Sequence, residues 1–331
     1  NTGELSALRA VGTAGARDAF GVRATLHSDA SALTVELTLL ANIRTLRDYG
    51  GGVCLEDAAR FPALRNETVE LDSERDIVHL RREQIGGGRA LDLYLQGKNG
   101  TELSLRQAVL PARTGCAPSG EPEPRRVIDI QSPGAIELDV VALSDEEPLT
   151  PIEPGALLDA PANDPSALAA LAFLSYEEKL EAGSWRFLTY FGRDTLLSLE
   201  LLLPALQRHV IEAGLGSVLE RINLDPGASD PSFGPIELGN VAHEEAIGDY
   251  AAWQNSQQEP PPASLRAPRY DYKMVDDDFL LAPVLARYVA AQDAVGDGAA
   301  VEALLGRTRA DGQSYRDALL ANLALVLERA R

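Results

Sequence analysis

The period of the hydrophobic pattern changes once along this chain, and that change limits which architectures it can adopt. Up to about residue 145, apolar and polar residues alternate in short runs at 20–27, 33–39, 68–71, 77–81, 91–95, 103–106, 127–130 and 136–141. Side chains on an extended backbone point alternately to opposite faces, so each run reads as a half-buried strand. Turn signals such as Gly86-Gly87-Gly88 and Lys98-Asn99-Gly100 separate them. From Ser166 onward the period becomes 3.6. Helices are predicted from 166 to about 181 and at 195–203, 212–222, 243–254, 278–291, 298–305 and 314–329. Pro283 has to sit in a first turn or cause a kink. Ten of the twenty prolines lie between, in residues 111–165. The pattern therefore predicts a multidomain β + α chain. An antiparallel β-sandwich occupies 1–145, a stiff Pro-rich linker 146–165, and a helical domain 166–331.

Composition narrows the partners. The chain has 331 residues and a formal net charge of −20, with 50 acidic against 30 basic side chains. Nucleic acid and acidic membranes both call for a positive surface, so neither is a predicted partner. A neutral ligand such as a sugar suits this charge. There is no apolar run long enough to span a bilayer. Lys98, Lys179 and Lys273 are the only lysines, which reads as a coding bias toward arginine. Cys54 and Cys116 have no neighbours at metal-ligand spacing, so they are either one disulfide or two buried thiols; no metal and no cofactor is predicted. The chain begins at Asn1 without Met or an apolar leader, so any signal peptide has been removed and a secreted or periplasmic location is expected, with the cytoplasm as the alternative. Asn66-Glu67-Thr68 and Asn99-Gly100-Thr101 match the glycosylation pattern.

Three clusters in the helical half bring aromatic and acidic residues together. The first is Trp185 to Thr195, where Trp185, Phe187, Tyr190 and Phe191 precede Gly192-Arg193-Asp194-Thr195. Asp194 suits a helix cap, yet an Arg-Asp pair also donates to and accepts from vicinal hydroxyls while aromatic rings cover the apolar face of a pyranose. The second is His243-Glu244-Glu245, followed by Asp249 and Trp253. Acids there suit a helix dipole, but a carboxyl shielded by aromatic rings also has a raised pKa, as a general acid requires. The run is not a zincin motif, because Ile247 stands where a second His would be needed. The third is Tyr270 to Phe279, with Tyr272 and Asp276-Asp277-Asp278. Three acids before an apolar run read as first-turn acids, and Asp276 or Asp277 can also line a sugar pocket. No nucleophile elbow, phosphate loop or dinucleotide fingerprint is present.

Together these residues resemble a family. Trp185 to Thr195, ending in Gly-Arg-Asp-Thr, is similar to a segment of glycogen-debranching-type amylo-α-1,6-glucosidases and to the Thr-Arg-Asp-Ser segment of glucoamylases. Both are six-hairpin (α/α)6 glycoside hydrolases, often with an N-terminal β-sandwich. The resemblance covers about 165–331 and places the His243-Glu244-Glu245 and Asp276–Asp278 clusters in the order of later hairpins. It implies that Arg193 and Asp194 hold sugar hydroxyls. It makes Glu244 or Glu245 the general acid, with Asp194 as the rival, and assigns Trp185, Tyr190, His243, Trp253, Tyr272, Asp276 and Asp277 to substrate binding. An inverting mechanism needs a base carboxylate about 6.5–9.5 Å from the acid, and in this family it comes from a late hairpin.

The six or seven helices read before Arg331 amount to about half of such a toroid. Half a toroid exposes broad apolar helix faces. The chain is therefore expected to be an incomplete catalytic unit, such as the N-terminal product of proteolytic cleavage, completed by a second polypeptide that supplies the remaining helices and the base. The expected function is cleavage of an α-glucosidic or related oligosaccharide. A carbohydrate-binding, lectin-like protein without turnover is the alternative.

Overall fold

A computed structural model of the chain describes residues 5–11, 19–37, 39, 67–109, 124–183, 187–230 and 234–331. The protein is mixed β and α, with antiparallel sheet in its N-terminal half and seven α-helices among the described residues. It divides into two compact units, one formed by Asn1–Pro148 with Ile247–Ala267, the other by Leu149–Ala246 with Pro268–Arg331. Cys54, Cys116 and Trp185 lie outside the described residues.

Among the described residues of the first unit, nine strands form two antiparallel sheets. The larger contains β1 (Leu5–Val11), β2 (Ala19–Ser28), β4 (Glu67–Asp72), β5 (Ile77–Glu83), β6 (Ala90–Lys98) and β9 (Ile136–Ser144), in the order β1-β2-β9-β6-β5-β4. The smaller contains β3 (Ala32–Val35), β7 (Glu102–Ala108) and β8 (Arg125–Gln131), in the order β3-β8-β7. Each expected alternating run lies on one of these strands, although the run at 33–39 leaves its sheet after Val35. Inward side chains from both sheets share one buried cluster: Val78, Leu80, Leu95, Ile136 and Leu138 from the larger, Leu103, Ile128 and Ile130 from the smaller. The link from β5 to β6 runs through Gly86, Gly87 and Gly88 at φ 91°, 71° and 78°, a left-handed stretch that favours glycine at each position.

The alternation of β5 ends unusually. Val78 and Leu80 point inward, and so does Arg82, which is fully buried. Its Nη2 donates to Asp249 Oδ2 at 2.6 Å and its Nε to Leu39 O at 2.6 Å, while Ile85 N donates to Asp249 Oδ1 at 2.8 Å. Asp249 belongs to α4 (Gly248–Ser256), the helix this unit draws from the second half of the chain. A charge in an apolar layer is stable only when paired and hydrogen-bonded, and this pair is both.

The second unit contains α1 (Pro165–Phe173), α2 (Gly192–Leu202), α3 (Arg208–Glu220), α5 (Asp276–Ala294), α6 (Gly298–Leu305) and α7 (Tyr315–Arg329). Asp164 caps α1 by accepting from Ser166 N and Ala167 N, with Pro165 at the first helical position. Ser314 and Asp317 form a capping box at the start of α7. Leu196, Leu199, Leu215, Val218, Leu281, Val284 and Tyr288 lie in one buried core. Among the described residues, no helix is long and apolar enough to cross a membrane.

The structure bears on four expectations. The segment 146–165 is not a free linker: Ile152 and Leu157 are buried in the core of the second unit, and Gln207 N donates to Leu157 O at 2.9 Å. The first helix stops at Phe173 rather than near 181, and Ser175 Oγ folds back onto Leu171 O at 2.7 Å. No helix spans 243–254. After the short paired strands β10 (Ser229–Asp230) and β11 (Gly234–Pro235), Glu244–Ala246 instead form a short strand, β12, paired with β13 (Arg269–Asp271), and α4 begins only at the left-handed Gly248, after Ile247. Pro283 sits well inside α5, beyond its first turn.

Candidate functional site

The N-terminal ends of α2 and α5 come together in the second unit and collect most of the singled-out side chains. Three consecutive acids open α5. Successive residues on a helix point about 100° apart, so Asp276, Asp277 and Asp278 face three different surroundings. Asp276 is exposed and accepts from Arg193 Nη1 on α2 at 3.2 Å. Asp277 is fully buried, with Oδ2 at 3.0 Å from His243 Nδ1. Asp278 is also fully buried. It accepts from Val241 N at 2.6 Å and Asn240 Nδ2 at 2.9 Å, and pairs with Arg329 of α7.

Around this junction, Phe191 leads into α2 and bridges Glu244 of β12, while Gly192 N donates to His243 O at 2.8 Å and His243 N to Asp271 O at 2.7 Å. The Phe191 ring meets Phe187 edge-on at 5.7 Å and His243 edge-on at 5.6 Å. Phe187, Arg193, Asp194 and Asp276 are all at least one-third exposed. The exposed part of the site is thus an aromatic ring beside one guanidinium and two carboxylates. Beneath it lie His243 and Asp277. Burial raises the Asp277 carboxyl above its ordinary value; the His243 hydrogen bond and charge oppose this but do not outweigh it, and the negative Asp276 adds to the rise. Whether the imidazole or the carboxyl donates across the 3.0 Å contact follows from where the proton resides.

The two glutamates separate. On a strand, adjacent side chains point to opposite faces, so β12 sends Glu245 inward and Glu244 the other way. Glu245 is 1% exposed. It accepts from Lys179 Nζ, from Thr189 Oγ1 at 2.8 Å, from Tyr190 N at 3.3 Å and from Arg221 Nε at 3.1 Å. Burial pushes its pKa up, but the charges of Arg221 and Lys179 and the hydrogen bonds from Lys179 and Thr189 prevail and hold it at about 2. A carboxyl in that state has no proton to give, so Glu245 does not fit the general-acid role expected of it. Its role is to neutralise two buried cations.

Tyr190 and Tyr272 also turn inward. Tyr190 is fully buried with the Arg221 guanidinium 4.5 Å from its ring centroid, and Tyr272 donates from its hydroxyl to Arg221 O at 3.2 Å. The Tyr190 ring is therefore not available to cover a sugar, while Tyr272 is partly buried against the core. Trp253 is on α4 in the first unit, with its ring centroid 6.1 Å from that of Tyr250. The structure thus gathers Arg193, Asp194, His243, Asp276 and Asp277, and buries Tyr190 and Glu245, with Tyr272 packed partly buried against the core.

Lys179, Thr189 and Arg221 belong to no motif that singles them out, although Lys179 carries a compositional signal. It is one of three lysines, and it is buried. In so Arg-rich a chain, a retained lysine marks a place for a compact ammonium. Among the described residues, no group of three or more His, Cys, Asp or Glu stands ready to hold a metal ion. No protein-family model, curated protein or solved structure matches the chain.

Proposed function

We propose that the chain is part of a glycoside hydrolase acting on an α-glucosidic or related neutral oligosaccharide, with the joined ends of α2 and α5 as its sugar-facing surface. The observation that carries this reading is the proximity of Asp277, a buried carboxyl with a raised pKa, to the exposed group of Arg193, Asp194, Asp276 and Phe187. Hydroxyls donate to the two carboxylates and accept from the guanidinium, while the ring covers the apolar face of the sugar. Asp277 takes the general-acid role, because burial raises its carboxyl, the direction an acid for glycosidic cleavage requires. Glu244, partly buried on the opposite face of β12 from Glu245, is the remaining carboxyl of the pair.

On the same reading, the two sheets of the first unit form a β-sandwich and the helical unit is part of a six-hairpin toroid. A second polypeptide completes it and brings the base. Exposed leucines support this part: Leu197 and Leu201 lie one turn apart on α2, and Leu320 and Leu327 two turns apart on α7.

A binding protein without turnover is favoured by one observation, that Asp277 has no exposure at all. The natively purified protein distinguishes the two when tested for binding and hydrolysis on a panel of aryl glycosides and linear glucans. The hydrolase reading expects turnover, with Arg193→Ala weakening both binding and turnover. Sugar binding without turnover selects the lectin-like reading, and neither activity overturns both.

A further inference from the structure

Two buried polar atoms beside Gly192 have no hydrogen-bond partner in the protein: Tyr190 Oη and Asp277 Oδ1. Both side chains are fully buried. An unmet buried donor or acceptor carries its full desolvation cost, so two together call for an explanation. Their positions supply one. A Cβ on Gly192 would lie 3.1 Å from Tyr190 Oη, 3.1 Å from Asp277 Oδ1 and 2.4 Å from Ala242 O. The two orphaned atoms therefore flank one point, and less than twice that distance separates them. Any larger residue at position 192 would fill the place between them.

We propose that a single hydroxyl oxygen, from water or from a bound sugar, bridges Tyr190 Oη and Asp277 Oδ1 beside Gly192. One oxygen making two bonds of about 2.7–2.8 Å spans up to about 5.5 Å, and the two 3.1 Å distances set only an upper bound of twice that value on the separation of the pair. The roles are complementary, because the phenol donates to this oxygen and the oxygen donates to the carboxyl. Burial raises the pKa of both groups, which keeps the phenol protonated and suits a neutral guest rather than an ion. The bridge extends a chain from Tyr190 through Asp277 to His243, fixing the Asp277 carboxyl at both oxygens. Tyr190 is then a positioning residue for Asp277, acting through the bridging oxygen.

Thermal unfolding tests this without reference to hydrolysis, so its failure is separate from failure of the glycosidase reading. Tyr190→Phe removes one oxygen atom and leaves the ring on Arg221. It is measured alone and combined with Asp277→Asn, each with and without saturating glucose. If water is the bridge, Tyr190→Phe lowers Tm by roughly 2–8 °C in sugar-free buffer, and the loss is not additive with that of Asp277→Asn. If a sugar hydroxyl is the bridge, Tyr190→Phe leaves Tm unchanged or raised without glucose and abolishes the upward shift glucose gives the wild type. A loss additive with Asp277→Asn overturns the proposal. So does an unchanged or raised Tm with the glucose response intact, since replacing an unbridged buried hydroxyl with hydrogen only relieves its desolvation.

Discussion

Glu245 and Asp277 are both buried carboxyls of the second unit, and they respond to burial in opposite ways. Glu245 faces two cations and is held down to about 2 from an ordinary 4.5; Asp277 faces one imidazole and is raised. The linkage signs follow. A depressed folded-state pKa gives stability that is present above pH 4.5 and lost as pH falls toward 2. Glu245→Gln should flatten that acid limb in urea titrations. At neutral pH it should cost about 3–5 kcal/mol, because Lys179 and Arg221 are left buried without their counter-charge. A full-strength acid limb in the variant would remove Glu245 from this role. For Asp277 the sign reverses, so its contribution grows as pH falls through its raised pKa. Arg193, His243 and the Asp276-Asp277 pair come from three clusters far apart in the chain, and it is the junction of α2 and α5 that brings them together. Sequence clustering could not separate Glu244 from Glu245, because that depends on partners as remote in the chain as Lys179 and Arg221.

At the level of elements, strong periodicity was readable wherever an element buries one face. Seven of the eight alternating runs lie wholly on strands and the run at 33–39 does so up to Val35, while the helices at 298–305 and 314–329 begin and end within a residue of expectation. What escaped were elements defined by pairing rather than pattern. β12 is three residues long and exists because it lies between Phe191 and β13. A helix was the natural reading there, and the left-handed Gly248 explains why the helix starts only at that residue. β5 shows the same limit in reverse. Its alternation predicts an inward residue at 82, and the α4 carboxylate of Asp249, together with Leu39 O, makes an arginine tolerable there. Asp249→Asn should therefore destabilise the first unit by about 3–5 kcal/mol in chemical denaturation, whereas an exposed pair such as Arg316–Glu302 should contribute no more than about 1 kcal/mol. Equal effects from the two pairs would contradict the assigned burial of Arg82.

For the molecule as a whole, the strongly negative charge has a structural reading. Several of its carboxylates are consumed in internal pairs, namely Asp249 with Arg82, Glu245 with Lys179 and Arg221, and Asp278 with Arg329. Those left around Arg193 face solvent, where they suit a neutral polyhydroxy ligand. The exposed leucines of α2 and α7 give the companion-polypeptide proposal its own test. Leu201→Arg and Leu327→Arg should release a second chain from the native assembly, as read by native mass spectrometry; a wild type that runs as one chain alone would contradict it. The central claim is that Asp277, and not Glu245, supplies the proton for glycosidic cleavage, and kcat/KM on an α-glucosidic substrate tests it most directly. The account predicts that Asp277→Asn lowers kcat/KM by about 10²–10⁴-fold while sugar binding persists, and that Glu245→Gln, where it folds, retains turnover. Undiminished hydrolysis by Asp277→Asn, with activity lost only in a folded Glu245→Gln, would contradict it.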